Sequence, residues 1–96
     1  MRITFERSGG IAGLKLLKIF DSTDLEKPDA EYIEAQLRNS GFFNLPHNAG
    51  SSGHGADRFQ YSIEVELNGK THKVVFSESH VPPALQPLLE WLQKKR

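Results

Sequence analysis

The sequence lacks cysteine altogether and lacks an excess of either charge, with 12 basic and 12 acidic side chains among its 96 residues. Without cysteine there is no disulfide scaffold, no thiolate zinc site and no cysteine nucleophile. The zero net charge argues against the basic stripe that nucleic-acid binding generally needs. What is present, 38% hydrophobic and 25% charged residues, is typical of a soluble globular protein.

Long apolar runs are also missing. No run approaches the length that crosses a bilayer, and residues 1–7 alternate apolar and charged side chains, unlike a signal peptide. We therefore expect a cytoplasmic protein with neither a membrane nor a nucleic-acid partner. Because 96 residues fit one domain with one core, we expect a single domain over residues 1–96.

Two β-hairpins are predicted from alternating side chains. The first joins a strand in residues 2–6 to a strand over residues 12–21 through a turn at residues 8–10. In the second strand the alternation changes phase at Leu16 and Leu17. Either both faces of this strand are partly covered or a bulge lies there, and we favour the bulge.

The second hairpin carries the stronger signal, because Asn68-Gly69 is a two-residue turn between two alternating runs. Such a turn fixes the register of both strands. The predicted facing pairs are Leu67 with Lys70, Val65 with His72, Glu64 with Lys73, Ile63 with Val74, and Tyr61 with Phe76.

Two helices complete the chain. Pro28 suits the first turn of one helix and Gly41 its end, while leucines at i, i+3, i+4 and i+7 from Leu85 predict the other. Residues 47–57, rich in glycine and serine, are predicted to form an exposed, mobile loop. The order β-β-α-β-β-α indicates an α+β fold: a four-stranded, mainly antiparallel sheet with both helices packed on one face.

The residues that could carry chemistry form no convincing catalytic constellation. His47, His54 and Asp57 share the glycine-rich loop and could meet at a cation, but such a loop makes a poorly preorganised site. His72 is in phase with apolar neighbours and is better interpreted as a packing residue. The serines near histidines, such as Ser77 and Ser79, lack the strand–turn–helix elbow of a nucleophile. We expect no enzyme activity, no metal and no cofactor.

Four segments of the chain resemble the emfourin family, protein inhibitors of thermolysin-like (M4) metallopeptidases such as protealysin. They are FERSGGIAG at 5–13, GFFNLP at 41–46, DRFQY at 57–61 with the hairpin that follows, and PPALQPLLEWL at 82–92. The likeness spans nearly the whole chain, so the single domain is identified as emfourin-like. Each segment is short, and many of the matched residues serve the fold.

The resemblance implies a cytoplasmic bacterial protein that binds the cleft of an M4 peptidase and blocks it sterically. Since loops on a rigid sheet often recognise partners, we expect the turn after the first strand and the 47–57 loop to make the contact. The candidate residues are Ser8, Gly9, Gly10, Ile11, Asn48, Ser51, Ser52, His54 and Asp57. We expect a monomer when the protein is free. A small interaction module with another partner and no inhibitory activity remains the alternative.

Overall fold

The computed structural model of the chain describes residues 1–9, 15–50 and 59–95. Within these ranges the elements follow in the order β1, β2, α1, β3, β4, β5 and α2. Their bounds are β1 Arg2–Gly9, β2 Leu16–Asp21, α1 Lys27–Ser40, β3 Asn48–Gly50, β4 Phe59–Leu67, β5 Lys70–Ser77 and α2 Gln86–Lys94. Short 3-10 turns follow α1 and β5 and precede α2. None of the described helices combines the length and apolar character needed to cross a bilayer.

The sheet has five described strands in the order β2-β1-β4-β5-β3, so the four-stranded sheet expected from the sequence is wrong in this detail. The added strand, β3, lies inside the segment predicted to be a loop. It pairs parallel to β5, with Asn48 opposite Val75 and Gly50 opposite Phe76, which makes the sheet mixed. The Val75 N–H also donates to the His47 carbonyl at 2.7 Å. Residues 51–57 of the predicted loop lie outside the described ranges.

The β4–β5 hairpin is confirmed with all five predicted pairs. Asn68 and Gly69 have φ values of 52° and 80°, the left-handed conformation that a two-residue turn between right-twisted strands requires. Asparagine and glycine are the residues that adopt this conformation at the lowest cost. The turn therefore sets the register of the two strands.

The predicted bulge in β2 is wrong. The β1–β2 register runs without a shift from the Arg7–Leu16 pair to the Arg2–Asp21 pair. The phase changes because Leu17 and Ile19 are exposed, not because the backbone is irregular. The predicted start of this strand at Ala12 lies outside the described residues.

Both helices cover the same face of the sheet, as predicted. Gly41 ends α1 with φ at 64°, and its N–H bonds the carbonyls of Arg38 and Leu37. Phe42 after this end is fully buried, and Leu85 before α2 is fully buried too. The core between the helices and the sheet contains Ile3, Phe5, Phe20, Ile33, Leu37, Phe42, Tyr61, Ile63, Val65, Val74, Phe76, Leu85, Leu88, Leu89 and Leu92.

One lysine ties the edge strand β2 to the end of α2. The Lys18 ammonium donates to the carbonyls of Leu92 at 3.1 Å, Gln93 at 2.8 Å and Lys95 at 2.9 Å. The last carbonyls of a helix have no partner within the helix and carry partial negative charge. A single cation on β2 therefore supplies hydrogen bonds to the carbonyls at the C-terminal end of α2.

Replacing Ile63 by alanine should lower the free energy of unfolding by about 2–5 kcal/mol, because it leaves a cavity in the core. Ile19, on the opposite face of the sheet, offers a matched control, and Ile19→Ala should cost less than about 0.5 kcal/mol. Urea unfolding at low protein concentration measures both. Equal losses for the two variants would contradict the one-sided core.

Replacing Lys18 by methionine should cost about 1–3 kcal/mol, because three charge-assisted hydrogen bonds are lost while most of the apolar stem is retained. Lys15 is the control, since its ammonium lies 3.5 Å from Glu6 and 63% of its side chain is exposed. Lys15→Met should change stability by less than about 0.5 kcal/mol. Urea unfolding measures the stability of both variants. An unchanged stability for Lys18→Met would show that the C-terminal end of α2 needs no cap.

Candidate functional site

The topology brings both predicted binding segments to one end of the sheet. β1, β3 and β5 run in one direction and β2 and β4 in the other. The last residues of β1, β3 and β5 therefore lie beside the first residues of β2 and β4. We call this rim the loop end, defined by Gly9, Leu16, Gly50, Phe59 and Ser77.

The chain leaves and re-enters the sheet twice at the loop end. It departs after Gly9 and returns at β2, and it departs after Gly50 and returns at Phe59. Three strand spacings separate β1 from β3, which is about 14 Å across the sheet. A single partner surface of ordinary size can span both points.

Three of the predicted contact residues lie within the described ranges. Ser8 and Gly9 are the last residues of β1 and face Gln60 and Phe59 of β4. Gly9 has φ at 95°, a conformation that favours glycine. Asn48 is the first residue of β3 and is exposed. The others, Gly10, Ile11, Ser51, Ser52, His54 and Asp57, lie outside the described residues.

The open face beside Ser8 carries a shallow depression of about 190 Å³. It is lined by Glu6, Ser8, Gln60, Tyr61, Ser62, Lys73 and Val75. Charges of both signs and hydroxyl groups lie within it, in keeping with the balanced charge of the whole chain. Such a surface offers hydrogen bonds to a protein partner but no preformed pocket for a small apolar ligand.

Arg7, Phe59 and Glu78 also contribute to the loop end, and sequence reasoning did not identify them as site residues. The Arg7 guanidinium lies over the Phe59 ring at 4.7 Å from its centre. The Phe59 backbone N–H donates to the Glu78 carboxylate at 3.2 Å. Phe59, the first residue of β4, is therefore held by the Arg7 guanidinium from β1 on one side and by the Glu78 carboxylate after β5 on the other. The β1–β4 register brings Arg7 to Phe59, and the β4–β5 register, in which Gln60 faces Ser77, brings Glu78 there.

The serines and the histidine at the end of β5 form a hydrogen-bonded corner. The hydroxyls of Ser77 and Ser79 lie 3.2 and 3.0 Å from Nδ1 of His80. Ser77 has 0% exposure, so its hydroxyl cannot meet a substrate. The corner turns the chain from β5 toward α2, which is a structural role.

Two other histidines are held by backbone carbonyls. His72 contacts the Leu45 carbonyl through Nε2 at 2.7 Å and meets the Phe42 ring edge to face, which confirms it as a packing residue. Nδ1 of His47 lies 3.1 Å from the Lys73 carbonyl. Among the described residues, no three histidine, aspartate or glutamate side chains are gathered to hold a metal ion.

Two charged groups with displaced pKa values lie away from the loop end. Hydrogen bonds from the Thr23 backbone and hydroxyl lower the pKa of Asp21, which faces Arg2 at the opposite end of β1. A hydrogen bond to Asp29, at 2.7 Å, raises the pKa of Lys95 beyond the end of α2. Each shift favours the charged form and so stabilises a local contact of the scaffold.

Comparison with known proteins identifies a family. A family model described as Emfourin matches residues 5–93 of the chain. The matched range includes every described strand and helix apart from the first residues of β1 and the last of α2. Searches of curated proteins and of solved structures gave no match.

Proposed function

This chain belongs to the Emfourin family, and from that membership we propose that it inhibits a thermolysin-like (M4) metallopeptidase by filling the active-site cleft. Membership itself indicates a role as a metallopeptidase inhibitor. The class of target and the mode of binding are the parts that we add. We also propose that the chain acts as one non-catalytic inhibitory domain over residues 1–96.

The observation that carries this proposal is the convergence of both connections on the loop end. A cleft is a concave site, so its inhibitor needs a convex rim that keeps its shape on entry. The β1–β4 and β4–β5 ladders fix the strands on which the connections after Gly9 and Gly50 are mounted. We propose that Ser8, Gly9, Gly10, Ile11, Asn48, Ser51, Ser52, His54 and Asp57 make the contact.

We propose steric occlusion as the mechanism, in preference to capture of the catalytic metal. Chelation would need a side chain with a free ligand atom that projects from the rim. Of the histidines that the structure describes, His72 packs against Phe42 within the fold, and His47 contacts the Lys73 carbonyl. Occlusion needs only shape and backbone hydrogen bonds, which the ends of strands supply.

The direct test is a titration of purified M4 peptidases with this protein, followed by hydrolysis of a short fluorogenic peptide. We expect activity to fall to near zero at stoichiometric excess for at least one such enzyme. Peptidases of the serine and cysteine classes are the controls and should keep their activity. Full activity of several M4 enzymes at excess would refute the proposal, and capture of a different protein would favour the interaction module.

Arginine substitutions should locate the contact. Asn48→Arg at the base of the second connection and Ser52→Arg within it should each weaken inhibition about tenfold or more, because a bulky charge obstructs a fitted surface. Asn44→Arg is the matched control. Asn44 is exposed beside Leu45, whose carbonyl contacts His72 near the far end of the sheet.

Inhibition constants and urea unfolding should be measured for all three variants. We expect Asn48→Arg and Asn44→Arg to unfold at the urea concentration of the parent, because exposed positions tolerate substitution. Weaker inhibition by Asn44→Arg alone would move the contact to the opposite end of the sheet.

A further inference from the structure

β2 displays an apolar pair at the edge of the sheet. Among the described residues, the large hydrophobic side chains that remain exposed are Leu17 at 54%, Ile19 at 59% and Tyr32 at 40%. Leu17 and Ile19 project from the same face of β2, which has β1 as its only described neighbour. An edge strand with exposed apolar side chains is a template for pairing with another strand.

Lys18, the charged residue that would discourage strand pairing at this edge, is bound to another part of the chain. A lysine within an edge strand normally projects into water and discourages pairing. Lys18 lies between Leu17 and Ile19, but its ammonium is folded onto three carbonyls at the end of α2. Its charge is therefore compensated within the chain and directed away from the open face.

We propose that β2 pairs antiparallel with β2 of a second copy of this chain, giving a two-fold dimer centred on Lys18. In this register Leu17 faces Ile19 of the other copy, and Ile19 faces Leu17. Both contacts form on the open face, and each is the symmetry copy of the other.

Charge complementarity selects this register. Asp21 ends β2 in the phase of Leu17 and Ile19, and Lys15, which precedes β2, lies on the same face, with its ammonium 3.5 Å from Glu6 opposite Leu17. Centring on Lys18 places Lys15 of each copy opposite Asp21 of the other, so opposite charges flank the apolar pairs. A register centred on Leu17 would place Lys15 against Ile19, and one centred on Ile19 would place Leu17 against Asp21. Neither alternative pairs opposite charges.

The dimer should be weak, because one pair of short strands is a small interface. We expect a dissociation constant between about 10 µM and about 1 mM. At protein concentrations below this dissociation constant the free chain is a monomer, which is the state expected from its sequence. The dimer surface uses none of the residues proposed to contact the peptidase, so the two proposals can fail independently.

Sedimentation velocity from about 10 µM to about 1 mM tests the pairing. The parent chain should shift from monomer to dimer, and Ile19→Lys should raise the dissociation constant about tenfold or more, since two apolar contacts are lost per dimer. Tyr32→Lys, at the exposed apolar position on α1, is the control and should dimerise like the parent. A parent that stays monomeric to about 1 mM, or larger assemblies without a dimer, would overturn the proposal.

A charge-exchange experiment tests the register. Lys15→Asp and Asp21→Lys should each weaken dimerisation, since each homodimer then places like charges opposite one another twice. An equimolar mixture should form a heterodimer, because the aspartate introduced in one variant then faces the lysine introduced in the other, and the native Lys15 and Asp21 that remain also face each other. Circular dichroism checks the fold of both variants, and Ile19→Lys decides the pairing alone should Asp21→Lys unfold. A mixture that associates no better than its components would refute the register.

Discussion

The register of the β4–β5 hairpin is the constraint on which the rest of the molecule depends. Asn68 and Gly69 turn the chain in two residues, so each side chain of β4 has one defined partner on β5. A slip by one residue would move Ile63 to the open face. Because β1 pairs with β4 and β3 with β5, this register also sets the level at which Gly9 and Gly50 leave the sheet. The turn at one end thus positions the binding connections at the other.

Burial on one face leaves the other face free for recognition. α1 and α2 cover the face that bears Ile3, Phe5 and Ile63, while the open face displays Glu6, Ser62 and Lys73. Lys18 shows how closely the two sides are linked. It caps α2 on the covered side, while its neighbours Leu17 and Ile19 are exposed on the open side. One edge strand therefore stabilises the scaffold with one face and displays an apolar pair on the other.

The sequence was informative where a periodic pattern and a turn signal occur together. The alternation from Phe59 to Phe76 around Asn68-Gly69 predicts a hairpin with its register, and the structure has that register. β3 was missed because Asn48-Ala49-Gly50 has no alternation, and its pairing with β5 depends on a parallel contact between residues far apart in sequence. The bulge at Leu16-Leu17 was wrong because exposed and covered apolar side chains look alike in a sequence.

The candidate site was predictable only in part, for a related reason. Ser8, Gly9 and Asn48 were identified by composition and by resemblance to a family. The contact of Arg7 with Phe59 forms through strand order, which the sequence does not display, whereas Glu78 meets Phe59 through the hairpin register that the sequence predicts. That both connections share one end of the sheet follows from the directions of β1, β3 and β4 together. Placing the second connection at this end required β3, which the sequence did not predict.

The central claim is that the loop end is the surface that meets a metallopeptidase. Backbone amide signals of the isotopically labelled protein, recorded with and without an M4 peptidase, test it most directly. The account predicts that Ser8, Gly9, Asn48 and Phe59 change while Asn68 to Lys70 do not, and that a small active-site ligand of the peptidase reverses the changes. Changes centred on the Asn68-Gly69 turn, or changes that persist when the cleft is occupied, would contradict it.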